Sequence, residues 1–249
     1  MNDSYFNAFA GVYDDFTQNA EYEKRAGYIL SLLKDSGVPS GILLDLACGT
    51  GTLTAQFAKN GYDVIAVDYS EDMLMSARQK LADIAPDALV LCQDMRELDL
   101  YGTVNACVCS LDSVNHLTDE SDVQTVFDRV SLFTEPGGVF VFDVNTVYKH
   151  SAVLADNAFV YENGNTFLVW QNELCEDGVT VNIYLDIFSR EKNGKYSRSC
   201  EDFSEKAYSV ELLTEMLKKS GFHDIKIYGD MSFSAPAGDE ERIYFVAKK

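Results

Sequence analysis

The sequence predicts an α/β protein with a doubly wound, mostly parallel sheet that carries an antiparallel β insertion. Three observations predict it. Short apolar runs alternate with amphipathic stretches up to residue 145, the rhythm of strands and crossover helices. The first of these runs passes straight into a small-residue turn, Ala47-Cys48-Gly49-Thr50-Gly51. From residue 146 to 205 the rhythm changes to β-rich runs separated by Asp177-Gly178 and Asn193-Gly194, dipeptides that favour tight hairpins.

The elements follow in order. Residues 3–36 read as helical, with Phe6, Phe9, Ala10 and Tyr13 and then Tyr22, Ala26, Ile29, Leu30 and Leu33 recurring at helical steps. Gly37 and Pro39 stop the second stretch. Ile42-Leu43-Leu44-Asp45-Leu46 is a continuous apolar run, as in a parallel strand buried on both faces. Thr52–Asn60 reads as a helix ended by Gly61, and Val64–Val67 as a strand. Ser70–Ala85 reads as a helix, with Ser70 as its N-cap and Glu71-Asp72 favouring its dipole. Strands are expected at Leu89–Cys92, Val104–Ser110 and Gly138–Val144, with a helix at Asp119–Phe133. The insertion holds runs at Asn157–Tyr161, Thr166–Leu174, Thr180–Arg190 and Lys195–Ser204. A helix at Val210–Ser220 and strands at Asp224–Tyr228 and Arg242–Ala247 complete the chain.

Composition narrows the function. The chain has 249 residues, 47% of them hydrophobic, enough for a full core. The net charge of −20 disfavours nucleic acid and anionic membrane surfaces, whose binding depends on Lys and Arg. Lys24-Arg25 and Lys218-Lys219 are the candidates for a local basic patch. Six cysteines, none in a C-x-x-C pair, and only three histidines give no zinc pattern, so no metal is expected. Cys107 and Cys109 share one face of a strand and read as core thiols. No signal peptide and no run of about 18 apolar residues is evident, which points to the cytoplasm.

The chemistry concentrates at the first turn. Glycines allow the backbone to approach a ligand, and the following helix presents free N–H groups. Asp68 stands 17 positions past Gly51, at the end of the next strand, where a carboxylate can accept both ribose hydroxyls of an adenosine. This arrangement serves a dinucleotide or an adenosyl sulfonium. The dinucleotide fingerprint requires a third glycine, and here Thr54 stands at that position. Asp45 would repel a pyrophosphate and attract an ammonium.

Leu44-Asp45-Leu46-Ala47-Cys48-Gly49-Thr50-Gly51 resembles motif I of the class I S-adenosylmethionine (AdoMet)-dependent methyltransferases. Val64-Ile65-Ala66-Val67-Asp68-Tyr69-Ser70-Glu71-Asp72-Met73-Leu74 resembles the motif that follows in that family, and Cys92-Gln93-Asp94-Met95-Arg96 its adenine-side segment. Glu135-Pro136-Gly137-Gly138 resembles the lead-in to its fifth strand. The resemblance covers residues 40–145 strongly and the C-terminal elements weakly. It implies a Rossmann-like, mostly parallel seven-stranded sheet in a single domain over 1–249. In this plan, helices occupy 1–38, the cofactor core 39–145, an acceptor lid 146–205, and the last helix and strands 206–249.

The resemblance also implies site residues. Ala47, Cys48, Gly49 and Gly51 would form the cofactor turn, with Asp45 beside the ammonium directly or through water. Asp68 would hold the ribose, flanked by Tyr69 and Met73. Asp94 would take the adenine amino group while the Met95 backbone approaches the ring. Phe9-Ala10-Gly11-Val12-Tyr13-Asp14 resembles a segment of small-molecule members in which a tyrosine, here Tyr13, closes over the methionine end. Arg25 would reach the cofactor carboxylate. Ser110 and Leu111 would offer backbone contacts from the loop after the fourth strand. In that loop His116 is the candidate general base, because imidazole titrates near neutrality, and Asp112 the group that orients a cationic amine. The loop lacks the Pro-Pro-Tyr/Phe sequence of amide-methylating families.

The expected activity is methyl transfer from AdoMet to a small-molecule N or O acceptor, with S-adenosylhomocysteine as product, by a monomer or homodimer. A base is needed only where the attacking group keeps its proton. Three rivals stand beside this reading: an RNA-directed methyltransferase, a non-catalytic AdoMet-binding module, and an NAD-dependent oxidoreductase.

Overall fold

A computed structural model describes residues 13–17 and 20–249. The expectations that rest on Phe6, Phe9 and Ala10 lie outside the described residues. The first described element is a four-residue helical turn, Tyr13–Phe16. Helix α1 (Tyr22–Asp35) follows and buries Ala26, Ile29, Leu32 and Leu33 on one side.

The central sheet has seven strands: β1 (Gly41–Leu46), β2 (Tyr62–Asp68), β3 (Leu89–Cys92), β4 (Val104–Cys109), β5 (Thr134–Asn145), β10 (His223–Gly229) and β11 (Arg242–Lys248). Their order is β10-β11-β5-β4-β1-β2-β3. Strands β1 to β5 pair in parallel, and β11 runs antiparallel to both of its neighbours. Strand β1 lies at the centre because Leu43, Leu44 and Leu46 leave no polar face for water. The chain steps outward from β1 to β3, then returns to β4 on the other side. The carboxyl ends of β1 and β4 therefore flank the point where the winding reverses, the place where open α/β sheets bind ligands.

Helices cover both faces. Helix α2 (Thr52–Lys59) joins α1 on one face, packing Phe57, Leu53, Ile29 and Leu33 against Leu43, Ala106, Val141 and Tyr244. Helices α4 (Glu120–Phe133) and α5 (Val210–Lys219) cover the other, packing Phe127, Val130, Leu213 and Leu217 against Leu44, Cys107, Phe140 and Phe245. The rings of Phe142 and Phe245 stack with centroids 4.8 Å apart. Cys107 and Cys109 point into this second layer and are wholly buried. The two-residue alternation of each strand assigns its side chains to one layer or the other.

Helix α3 (Glu71–Leu81) begins as expected, with the Ser70 hydroxyl accepting the Met73 N–H, but ends four residues before Ala85. Residues 82–85 instead close tight turns, and Pro86 bars a continued helix. The helical reading of 3–36 is likewise broken between Thr17 and Tyr22, where Glu21 adopts a left-handed conformation at φ 48°.

The insertion forms a second sheet of four antiparallel strands, β6 (Ala158–Asn163), β7 (Thr166–Leu174), β8 (Thr180–Arg190) and β9 (Tyr196–Lys206), in sequential order. Leu168, Ile183, Leu185 and Ile187 share its inner face with Leu154, and Tyr13 and Phe16 pack against that layer. A π-helical segment, Lys149–Leu154, links β5 to this sheet. No helix of the described residues is long and apolar enough to cross a membrane.

Candidate active site

The carboxyl ends of β1, β2 and β4 open into a cleft of about 1090 Å³ that the inner face of the second sheet closes from the opposite side. The turn after β1 forms one wall. Gly49 there has φ 54°, and its N–H donates to Asp68 Oδ2 at 2.8 Å. The Ser70 N–H donates to Asp68 Oδ1 at 2.8 Å. Asp68 thus ties the ends of β1 and β2 together while its carboxylate lines the cleft. Burial raises its pKa above the usual carboxylate range, against the two N–H donors.

Gly51 has a different task. Its φ is 73°, and a Cβ placed there would lie 2.8 Å from the Ala77 Cβ of α3. This close approach gives Gly51 a packing role between α2 and α3. Asp45 lies off the cleft. It is 2% exposed, accepts the Thr54 hydroxyl at 2.5 Å, and lines a side chamber with Cys48, Ser110 and Tyr13. Burial pushes its pKa up to about 7. The Cys48 thiol, buried beside Asp45, is raised well above its ordinary value. The Ser110 hydroxyl is buried and finds no hydrogen-bond partner among the described residues.

Around the remaining rim stand Ala47, Gly49, Tyr69, Met73, Met95 and Leu111, all lining the cleft. Asp94 lines it too, but its carboxylate is gripped by Arg96, whose Nε lies 3.0 Å from Oδ1. The pKa of Asp94 falls because of that bond. Arg96 also pairs with Asp122 at 2.9 Å. Tyr13 borders both the cleft and the side chamber. Arg25 reaches the cleft with its guanidinium already bonded to Asp230 at 3.0 Å and to the Tyr244 hydroxyl.

The loop after β4 is strained in a specific way. Leu111 and Asp112 both have positive φ, 59° and 55°, a costly conformation for residues with a Cβ. The fold holds it with Asp143 on β5, which accepts the N–H groups of Leu111 at 2.8 Å and Asp112 at 3.1 Å. Arg242 on β11 bridges Asp143 and Asp112, reaching Asp112 Oδ1 at 2.8 Å. Burial alone would raise the Asp112 pKa, but Arg242 and Lys149 outweigh it and hold the carboxyl well below its usual range. Asp112 therefore faces the cleft as an ionised group paired with Arg242.

His116 closes the short 3₁₀ turn Ser113–His116. It lines the cleft, lies with its ring 5.1 Å from that of Phe203, and has Nε2 3.8 Å from Glu205 Oε1. Lys149 donates to Asn145 Oδ1 at 3.0 Å, and burial lowers its pKa. From the second sheet Tyr161, Trp170 and Tyr184 reach the cleft, whereas Phe167 and Phe188 do not. Among the described residues, Asp68, Asp94, Asp112, Asp122, Asp202, Glu205, Asp230 and Glu241 face four cations, Arg25, Arg96, Lys149 and Arg242. That excess of carboxylates favours cationic ligands.

Sequence reasoning missed Asp143, Asn145, Lys149, Glu205 and Arg242. Asn145, Glu205 and Arg242 lie at or within two residues of a strand end, and no local pattern distinguishes them from ordinary strand caps. The pairing of β11 with β5 sets Arg242 opposite Asn145, and the second sheet brings Glu205 to the Asn145 amide.

A family model for a methyltransferase domain matches residues 43–138. YqeM of Bacillus subtilis (strain 168), a protein that carries a methyltransferase name, is 33% identical over 246 residues, which is 98% of this chain and 97% of its own. The crystal structure of a S-adenosylmethionine-dependent methyltransferase from Clostridium acetobutylicum ATCC 824 matches with a TM-score of 0.88 at 32% identity, covering 98% of each chain. The dTDP-3-amino-3,4,6-trideoxy-alpha-D-glucopyranose N,N-dimethyltransferase of Streptomyces venezuelae is 35% identical over 136 residues, 54% of this chain and 56% of its own.

Proposed function

The chain belongs to the class I S-adenosylmethionine-dependent methyltransferases, and from that premise we propose that its acceptor is a small molecule bearing an amine or a hydroxyl. The observation that carries this reading is the cleft. It is acidic, walled by the aromatic side chains Tyr161, Trp170 and Tyr184, and roofed by the second sheet. Such a site suits a compact amine cation flanked by apolar surface. The amino-sugar N,N-dimethyltransferase of Streptomyces venezuelae supports an amine over a hydroxyl.

The residues present fit AdoMet. Asp68 can accept the ribose hydroxyls while its backbone donors keep it in place. The buried Ser110 hydroxyl and the Asp45 carboxyl meet in one chamber beside the turn, a polar recess for the amino-acid end. Asp94 and Met95 take the adenine edge, Tyr13 covers the methionine end, and Arg25 stands within the same cleft for its carboxylate. The bound sulfonium supplies an already electrophilic methyl group. The chain's own task is to align the acceptor, exclude water and accept a proton. His116 is the base in this reading, since it faces the cleft on the strained loop. The sheet of residues 146–205 is the acceptor lid of a single functional unit.

The test is transfer of labelled methyl from AdoMet to a panel of small amines and alcohols, with tRNA as a parallel substrate. Label in the small-molecule fraction with release of S-adenosylhomocysteine is expected. Label confined to RNA would replace this reading with its RNA-directed rival.

A further inference from the structure

Behind His116 lies a carboxylate whose surroundings constrain its protonation. Glu205 on β9 is 3% exposed. Its Oε2 accepts the Asn145 Nδ2–H at 3.1 Å and lies 3.6 Å from His150 Nε2. Its Oε1 lies 3.8 Å from His116 Nε2. His150 is wholly buried on the π-helical segment. Its Nδ1 is 2.8 Å from the Val179 carbonyl oxygen. A carbonyl only accepts, so Nδ1 carries the hydrogen. In a neutral ring Nε2 then presents a lone pair, here toward a carboxylate oxygen in a buried site. Two facing lone pairs repel, and the low local dielectric strengthens that repulsion. One proton between them turns the contact attractive. His150 Nε2 has no hydrogen-bond partner among the described residues, and Glu205 Oε2, at 3.6 Å, is within ion-pair but not hydrogen-bond distance.

We propose that Glu205 and His150 hold one shared proton, and that this buried pair positions His116 on the acceptor side of the cleft. The positioning half rests on the reading of the cleft as the methyl-transfer site. The pair is neutral as a whole, either carboxylate with imidazolium or carboxylic acid with imidazole. Neutrality explains how Glu205 sits beside Asp112, with which it shares the two N–H bonds of the Asn145 amide. The other charged groups facing this corner are Lys149, bonded to the same amide oxygen, and Arg242, paired with Asp112. Glu205 Oε1 lies 3.8 Å from His116 Nε2, an ion-pair distance at which the carboxylate favours a ring that carries a proton on Nε2.

The test is ¹⁵N NMR of histidine side chains together with the carboxyl carbon signal of Glu205, at neutral pH, in wild type and two variants. Glu205→Gln removes the proton partner with little change of shape. His150→Asn keeps an N–H donor for the Val179 carbonyl and deletes Nε2. In the wild type, Nδ1 of His150 carries hydrogen, and one further proton is counted over Nε2 and the Glu205 carboxyl. In Glu205→Gln, His150 becomes a neutral ring with bare Nε2, and the His116 signals shift while those of His223 stay. An ionised Glu205 facing a bare Nε2 in wild type would overturn the shared proton. Unmoved His116 signals in Glu205→Gln would overturn the positioning role. Affinity for S-adenosylhomocysteine is measured in parallel: retained affinity in the variants shows an intact cleft. Failure of the wild type to bind it would sink the reading of the cleft, while the proton count still judges the pair.

Discussion

Asp68 holds two backbone N–H groups from opposite sides and still faces the cleft. Removing it deletes the tie between β1 and β2 and, in the proposed reading, the ribose acceptor. Asp68→Ala is expected to weaken AdoMet binding by roughly 1–3 kcal/mol, read by calorimetry on protein whose folding is checked separately; unchanged affinity would remove its ribose role. Asp45 was legible from sequence as an acid beside the turn, but its burial was not, because the Thr54 contact and the covering side chamber are tertiary. Its folded pKa, about 7, lies above that of the unfolded chain. The folded protein therefore binds this proton more tightly, and the stabilisation is present in full at low pH and lost as pH rises through about 7. Asp45→Asn is expected to abolish that loss in unfolding midpoints compared at pH values on either side of the transition. Equal pH slopes in the two proteins would refute the raised value. His116→Ala is expected to leave AdoMet affinity unchanged and slow turnover; equal turnover removes it as the base.

Elements place these residues through a few close approaches. Helices α2 and α3 meet at Gly51, where a Cβ would strike Ala77. Gly51→Ala combines that overlap with a left-handed φ, and a cost of about 1–3 kcal/mol is expected, roughly 2–4 °C in Tm for each kcal/mol. Because α3 begins at the Asp68 loop, cofactor affinity should fall as well. A variant with unaltered Tm would show that the helices can part freely. The parallel strands, the hairpins at Asp177-Gly178 and Asn193-Gly194, and the motif turn were readable because each is written in local pattern. The grip of Arg242 and Asp143 on the loop of Asp112 was not, since it depends on β11 lying antiparallel beside β5. The π-helical segment that buries His150 likewise carries no period that a helix or strand template matches.

At the scale of the molecule, two sheets enclose one acidic cleft. The seven-stranded sheet brings the β1 turn, Asp68 and the β4 loop to its switch point, and the four-stranded sheet brings aromatic side chains to face them. The net charge of −20 extends the same bias outward and disfavours a polyanionic acceptor. In the proposed function AdoMet occupies this cleft from the β1 turn to the β4 loop. Amide hydrogen exchange with and without saturating S-adenosylhomocysteine tests it most directly. Slower exchange at residues 45–51, 68–73, 93–96 and 110–116, with no change on helix α5, is the predicted result. Protection confined elsewhere in the chain, with those four segments unaffected by bound ligand, would contradict it.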